Sequence, residues 1–495
     1  MAGLPLLGTE SLRVFGALVG LGALVGLGER LRGWGVRAST TRRLVHTGVS
    51  LFVVATPVLF ERPLPVYVLA GTFTAANAIA RSRHWWPGIH AVRPESWGTV
   101  ALPLSVLVAL GMTWSIAPDR LFAFQGAYLV LALADPAASW VGERSTRAQA
   151  SVPDATLLGS LTFAGVALGL SVLVLEGATS WGARAVCGAA TGATLIATLV
   201  EAVSGRGWDN LFVPVALVLV WVPLHEGVLG VGALGGALVA GTIFGGLAHW
   251  TNALSLRGAA VGGLFAASLV GLGGTEWVVP GIVFFGLSSA LTYVQGSRPE
   301  AVAGDAPRRT EAQVLANGGV AWTALAGAAV LPSGGAVLPG GYAAFVGALA
   351  AAAADTWATE WGMRSSTAPW SLRTGRRVAA GTSGAVSALG TVAAMFGAAS
   401  VVGAAVLTNG PLTGDVRWDV VLLVGAGLSG MVADSFAGAF IQAQYRTDSG
   451  EWTEMPPARE ASPAQGWASV GNNAVNFLGT AVGGGIALVG LLLVA

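Results

Sequence analysis

The sequence predicts an all-α polytopic membrane protein, with about sixteen transmembrane helices in two roughly eight-helix halves. Three observations predict it. Of 495 residues, 54% are hydrophobic and only 10% charged, with a mean hydropathy of +0.69, whereas a soluble domain carries about 25% charged residues. The apolar residues are gathered into roughly sixteen blocks, many near the ~20 residues that a spanning helix needs. Short alternating segments, the signature of a membrane β-barrel, do not organise the chain. A soluble enzyme, a disordered chain and a porin are therefore excluded.

The blocks run 12–28, 44–60, 64–80, 97–116, 121–134, 158–175, 185–203 and 211–224 in the first half. In the second half they run 229–247, 258–273, 277–295, 313–331, 341–359, 382–407, 419–442 and 473–494. The first is followed by Glu29 and several arginines instead of a small-residue cleavage site, so it reads as a spanning helix and not a signal peptide. Blocks 121–134 and 211–224 are short for a full span; they are half-helices or continue into their loops. A break near His225 to Leu229 divides the chain into domains 1–228 and 229–495.

Charge placement orients the helices. If the loop holding Arg30, Arg32, Arg37, Arg42 and Arg43 is cytoplasmic, alternation leaves only Arg13, Arg62, Arg120, Arg184 and Arg417 outside. That is a strong positive-inside bias. It places both termini outside and the polar loops on the cytoplasmic face of the cell membrane. All 26 basic residues are arginine, so no lysine is available for a Schiff base or a Walker-type phosphate loop. The net charge of +1 gives no case for nucleic acid. The single Cys187 precludes an internal disulfide. Most of the 72 glycines need no functional reading, because small residues let helices pack closely in lipid.

The halves echo one another. Asp135-Pro136-Ala137 is followed by Gly142-Glu143-Arg144-Ser145 and then Gly159-Ser160; Asp355-Thr356-Trp357 is followed by Gly362-Met363-Arg364-Ser365 and then Gly381-Thr382-Ser383-Gly384. Acid to glycine is 24 residues in one half and 26 in the other. A second intramembrane acid follows in each, Glu201 and Asp434, and then Asp209-Asn210 and Asn472-Asn473. The order suggests two related units, each with its own site.

Asp135, Glu201, Asp355, Glu360 and Asp434 sit in or at the ends of apolar blocks. A carboxylate there is expensive unless paired or hydrated, which marks each as a functional candidate. They suit a divalent-metal ligand or general base, or alternatively a structural partner for an arginine. Gly159-Ser160 and Gly381 to Gly384 stand where loops re-enter helices; a helix N-terminus suits a phosphate, though the same residues cap ordinary helices. Arg42-Arg43, Arg308-Arg309, Arg373, Arg376 and Arg377 are the cations available for an anionic substrate, by bidentate pairing, or else anchors for topology and lipid headgroups. The amides Asn317, Asn472, Asn473 and Asn476 bind a ligand or join helices. His46 lies one turn after Arg42-Arg43. Acids, phosphate-type N-termini and arginines on one membrane face imply phosphoryl chemistry on a lipid-soluble substrate.

Residues 40–225 resemble the membrane polyprenol kinases, the group containing dolichol kinase and plant phytol kinase. The likeness rests on Arg42-Arg43-Leu44-Val45-His46, Asp135-Pro136-Ala137 with Gly142, Gly159-Ser160, Glu201-Ala202, Asp209-Asn210 and Val213-Pro214. One departure is that such proteins commonly carry a lysine just before the Gly-Ser, where this chain has Asp154-Ala155-Thr156-Leu157-Leu158; Arg144 or Arg147 stands nearby as a substitute. Residues 230–495 resemble the family called domain of unknown function 92, which includes transmembrane protein 19 and plant phytyl-phosphate kinase. That likeness rests on Gln313 to Gly319, Asp355-Thr356-Trp357 with Glu360 and Gly362, and Pro369, Arg373 and Val378. It continues through Gly381 to Gly384, Ser387, Asp434-Ser435, Gly438, Gln442, Asn472-Asn473 and Val475-Asn476.

The resemblances imply a bifunctional kinase. The first half would phosphorylate a prenyl alcohol of the phytol or geranylgeraniol type, and the second would convert the monophosphate to the diphosphate. CTP is the implied co-substrate and Mg²⁺ the implied metal, held by Asp355, Asp434 and Asp135. Asp355, Glu360, Asp434, Asp135, Glu201 and Asp209 would be catalytic. Gly381, Thr382, Ser383, Gly384, Gly159 and Ser160 would cradle phosphate, with Arg373, Arg377, Arg43, His46, Asn317, Asn472 and Asn473 assisting. Two other readings suit the same features: a lipid-phosphate transporter or flippase, and a CTP-dependent lipid cytidylyltransferase.

Overall fold

A computed structural model describes residues 4–83, 96–145, 156–295, 308–331, 337–447, 452–454 and 461–494. Arg147 and Asp154-Ala155, singled out above, lie outside the described residues. The chain divides into two compact units, Met1–Gly235 and Gly236–Ala495.

Sixteen α-helices are present among the described residues, one for each apolar block. Unit 1 contains α1 (Leu4–Gly33), α2 (Ala38–Leu59), α3 (Leu64–Ser82), α4 (Gly98–Met112), α5 (Leu121–Gly142), α6 (Leu157–Ala178), α7 (Ala183–Val203) and α8 (Asp209–His225). Helix α9 (Val231–Trp250) begins at the end of unit 1 and leads into unit 2. There follow α10 (Leu256–Ser268), extended by a π-turn at Leu269–Gly273, α11 (Thr275–Gln295), α12 (Glu311–Val330), α13 (Val337–Gly362), α14 (Ala388–Asn409), α15 (Val416–Phe440) and α16 (Asn472–Val494). Ten of these spans are long and apolar enough to cross a membrane. This is an integral membrane protein. The short block at 121–134 does continue into its loop, as α5, through Asp135 to Gly142.

The exceptions to the hydropathy rule are informative. Helix α13 has 26 residues but is rich in alanine. It is the centre of unit 2: Phe345, Val346, Ala348, Leu349, Ala350 and Ala354 are all fully buried, and α12, α14, α15 and α16 pack around it. A helix surrounded by protein needs small residues for close approach, not the bulky ones that face lipid. In unit 1, α5 packs on α2, α6 and α8, with Phe124, Tyr128 and Trp221 fully buried. At the N-terminal end of α5, Arg120 is buried in an ion pair with Glu226 and donates to the Met112 carbonyl at 3.1 Å.

One helix start falls well inside its block. The block drawn from 382 begins as a helix only at Ala388, capped by the Ser387 hydroxyl, which accepts from the Gly390 amide at 3.1 Å. The preceding residues form a small antiparallel hairpin, β1 (Trp370–Ser371) with β2 (Ala385–Val386). Gly381 and Gly384 have φ of +83° and +71°, left-handed turn geometry that breaks a helix. A second two-stranded pair, β3 (Tyr445–Arg446) with β4 (Trp452–Thr453), follows α15.

Candidate functional site

In unit 1 the site begins with Asp135-Pro136. Pro136 lies inside α5 and has no N–H to give the carbonyl of Ala132, four residues back. That freed carbonyl accepts from Thr47 Oγ1 of α2 at 3.0 Å. Beside it, His46 Nε2 lies 3.3 Å from the Leu131 carbonyl and 3.4 Å from Asp135 Oδ2. The proline thus makes the polar seat on which α2 docks, with His46 against the acid.

Three further helices reach the same place. Ser160 of α6 lies beside Glu201 of α7, and Glu201 is within electrostatic reach of both Asp135 and Asp209. Asp209, the first residue of α8, is also within reach of His46 and Arg42. Glu201 Oε2 is buried without a hydrogen-bond partner. Arg43 is turned elsewhere: its Nε donates to Ser139 Oγ at 3.1 Å, its Nη2 to the Ser139 carbonyl at 3.2 Å, and it pairs with Glu143. It clamps α2 to the end of α5, while Arg42 lines a cavity of about 790 Å³ together with His46 and Asn210.

In unit 2, Asp355 of α13 and Asp434 of α15 hydrogen-bond to each other through their carboxyl groups. They line a cavity of about 10 Å³ with Asn317, Asn476 and Thr480, about the size of one water. Two ionised carboxylates do not sit at hydrogen-bond distance unaided; a proton or a cation must hold them together. With its amide nitrogen turned toward the acids, Asn476 donates to Asp434 Oδ2 at 3.2 Å and to the Asn472 carbonyl at 3.0 Å. Close backbone contact makes the site possible: a Cβ on Gly430 would come 2.5 Å from both the Gly479 carbonyl and Ala351 Cβ.

The other residues singled out in unit 2 are placed around this pair. Glu360 accepts from Thr292 Oγ1 at 3.0 Å, and Arg309 donates to the same hydroxyl at 3.1 Å. Burial pulls the Arg309 guanidinium down from its ordinary value, and Glu360 opposes that shift. Asn472 and Asn473 are exposed at the start of α16. Arg377 donates to the Ala368 carbonyl at 2.7 Å and lies over the Trp370 ring, so it braces the hairpin; Arg373 is exposed in its loop. Thr382 donates to the Ala379 carbonyl, and Ser383 to Gln442 Oε1 at 2.7 Å. The expected helix-terminal cradle at Gly381 to Gly384 is therefore a turn before the helix, folded onto the end of α15.

The structure corrects the register of the internal echo. Gly159 is the counterpart of Gly390, not of Gly381. The Thr156 hydroxyl caps α6 by accepting from Gly159 at 3.1 Å, as Ser387 does from Gly390. A Cβ on Gly159 would lie 3.2 Å from the Ala138 carbonyl, and one on Gly390 would lie 2.7 Å from the Ala358 carbonyl. The turns ending α5 and α13 also match: the amides of Glu143, Arg144 and Ser145 bond to Ser139, Val141 and Gly142, and those of Met363, Arg364 and Ser365 to Thr359, Trp361 and Gly362. Asp135, Ala138 and Gly142 thus correspond to Asp355, Ala358 and Gly362.

Residues 239–484 match the family described as Integral membrane protein DUF92. No solved structure matches the chain. The DUF92 segment lies within unit 2 and contains Asp355, Asp434, Asn317, Asn476 and Thr480. Thr480 was not singled out from the sequence, although Asn472, Asn476 and Thr480 recur every fourth residue in an apolar helix, the spacing of one polar face. Thr47 carried no comparable signal.

The donor sets suit a hard cation, being almost wholly oxygen. Among the described residues no three His, Cys, Asp or Glu side chains form a ready-made metal cage. A Mg²⁺ site does not require one, since that ion is usually held by one or two carboxylates together with substrate phosphates and waters.

Proposed function

We propose that the protein is a membrane phosphotransferase with two related sites, unit 1 acting on a prenyl alcohol and unit 2 on the resulting monophosphate. The observation that carries this reading is the convergence in unit 1. Five helices bring His46, Asp135, Ser160, Glu201 and Asp209 to one place, and His46 also lines the 790 Å³ cavity beneath. An embedded polar cluster joined to an apolar chamber suits a substrate with a reactive head and a hydrocarbon body.

CTP is the proposed donor, and the active ends are proposed to face the cytoplasm, where nucleotides are found. In each transfer the substrate oxygen attacks the γ-phosphorus. The bond from that phosphorus to the bridging oxygen breaks, CDP leaves, and the hydroxyl proton of the alcohol passes to a base. Asp209 and the Asp135–His46 pair are the bases proposed to take that proton, His46 being the member that lines the cavity. Arg42 offsets phosphate charge there. In unit 2 the acceptor is a phosphate, so Asp355 and Asp434 chiefly position charge, while Arg373 remains free to meet the nucleotide.

Asp355 with Asp434, and Asp135 with Glu201 and Asp209, would hold Mg²⁺; the partnerless Glu201 Oε2 is consistent with a ligand there. Bound Mg²⁺ would neutralise charge on the transferring phosphate. The test is purified full-length protein with phytol and CTP labelled at its γ-phosphate. Labelled phytyl monophosphate followed by diphosphate is expected. Transfer of a CMP group, lipid-phosphate flux without nucleotide, or no labelled product would overturn the reading.

A further inference from the structure

The β1–β2 hairpin of unit 2 is an ordered surface of one sign. Residues 361–387 contain Arg364, Arg373, Arg376 and Arg377 and neither Asp nor Glu. The turn is held from within. The Ser371 hydroxyl accepts from the amides of Arg373 and Thr374, each at 3.3 Å, and Gly375, with φ +62°, donates its amide to the Ser371 carbonyl at 2.9 Å. Trp370 pairs with Val386 on one side and bridges to Arg377 on the other. Ser371 is buried, so its neighbours along the strand, Trp370 and Leu372, point outward, at 52% and 36% exposure. Arg376 is exposed in the same turn, and Arg377 lies over the Trp370 ring at 5.2 Å.

The hairpin stands at the level of the lipid headgroups. It runs straight into α14, whose 22 residues are apolar enough to span a membrane and extend about 33 Å, close to the ~30 Å of a hydrocarbon core. Ala388 therefore lies at the edge of that core, and Val386 of β2 is two residues before it, at most about 7 Å of chain. A headgroup layer is about 5–8 Å deep. A Cβ on Gly384 would come 2.5 Å from Ala439 Cα, so the hairpin is also pressed onto the end of α15, and Ser383 ties it to Gln442 there. Two more arginines lie over tryptophan rings where helices of this unit end: Arg364 over Trp361 at 5.5 Å, after α13, and Arg446 over Trp452 at 4.7 Å, after α15.

A cationic turn suits either a soluble nucleotide or the membrane surface, and the exposed apolar side chains favour the membrane. Tryptophan concentrates at the membrane–water interface, and arginine beside it meets phosphate oxygens through its planar fork. With no acid in the segment, the charge complements an acidic leaflet. We propose that the hairpin docks on the anionic phospholipid headgroups around α14 and α15. Trp370 and Leu372 enter the headgroup layer, and Arg376 and Arg377 meet lipid phosphates. Arg373, assigned above to the nucleotide, is not required, and the docking stands without the kinase reading.

The experiment places a bimane fluorophore on Thr374→Cys, an exposed turn position, in the full chain carrying Cys187→Ser. It reads quenching by lipids spin-labelled at the headgroup, at one fixed label density, in nanodiscs of phosphatidylcholine alone or with phosphatidylglycerol. Quenching should be at least about twofold stronger with phosphatidylglycerol and should weaken as salt is raised. Arg376→Gln should lower the ratio of docked to undocked hairpin about fivefold, the effect of one cation near an acidic surface. Arg376→Lys should retain docking, which separates charge from any folding defect. Leu372→Ser should lower the ratio about twofold and leave its salt dependence unchanged. Equal quenching in the two membranes, no change with Arg376→Gln, or loss of quenching on adding CTP, which gives these arginines to a nucleotide, overturns the proposal. Phosphate transfer plays no part in the readout, so failure here leaves the kinase reading standing, and quenching without transfer does the reverse.

Discussion

Asp355→Asn separates chemistry from architecture in unit 2. The Asp355 carboxyl hydrogen-bonds Asp434 inside a cavity of about 10 Å³. An asparagine has the same shape, and its amide nitrogen can donate to Asp434, so the contact survives and no void forms. The stability cost is then about 1 kcal/mol, the net worth of one altered hydrogen bond. That corresponds to a fall of about 2–4 °C in the unfolding midpoint of a unit of this size. The charge is lost entirely, and with it half of the proposed metal and phosphate site. Loss of one preorganised electrostatic group costs roughly 3–4 kcal/mol in the transition state, or 10²–10³ in rate. The assay follows labelled phytyl monophosphate and diphosphate in one reaction. Diphosphate formation should fall at least about a hundredfold while monophosphate accumulates, because unit 1 has its own acids. Diphosphate production within about threefold of the parent, with the variant folded, would refute the assignment of Asp355.

Other variants test the architecture. Gly390→Val should lower the unfolding midpoint by several degrees, since its Cβ would lie 2.7 Å from the Ala358 carbonyl and overpacking costs about 1–3 kcal/mol. Ser387→Ala should cost about 1 kcal/mol through loss of the α14 cap, read by thermal unfolding in detergent. Glu226→Gln should cost about 2 kcal/mol by removing the counter-ion of buried Arg120, and adding Arg120→Met should recover part of it. Arg43→Ala should reduce monophosphate formation by loosening α2 from Ser139, with diphosphate formation from supplied monophosphate unchanged.

Membrane architecture was legible because hydropathy acts on whole blocks, and all sixteen blocks became helices. Intramembrane acids were legible for the same reason in reverse: a carboxylate in an apolar block stands out. What composition did not reveal was which side chains meet. Arg42 and Arg43 are adjacent in sequence, yet one lines the cavity and the other clamps α5. Successive residues on a helix point about 100° apart, and only packing decides which direction faces the site. Glu360 follows Asp355 by five positions and meets Thr292 instead of the acid pair for that reason. The helix start at Ala388 was missed because Gly-Thr-Ser-Gly has the composition of a cap. Its two left-handed glycines belong to the turn before, and the actual cap was Ser387.

The corrected register explains the difference between the two units. From Gly142 to its capping Thr156 is 14 positions; from Gly362 to its capping Ser387 is 25. The acids, close-contact glycines and caps on either side correspond, so the additional length is an insertion between matched helices and not drift in a chance pattern. It carries the β1–β2 hairpin with Arg373, Arg376 and Arg377. The common core thus supplies the acids in both units, and the insertion supplies arginines only to the unit proposed to accept an already phosphorylated substrate. Two anions meeting in one site repel each other, whereas an alcohol and a nucleotide do not. In that proposal the unit with the harder electrostatic task is the one whose longer loop carries Arg373, Arg376 and Arg377.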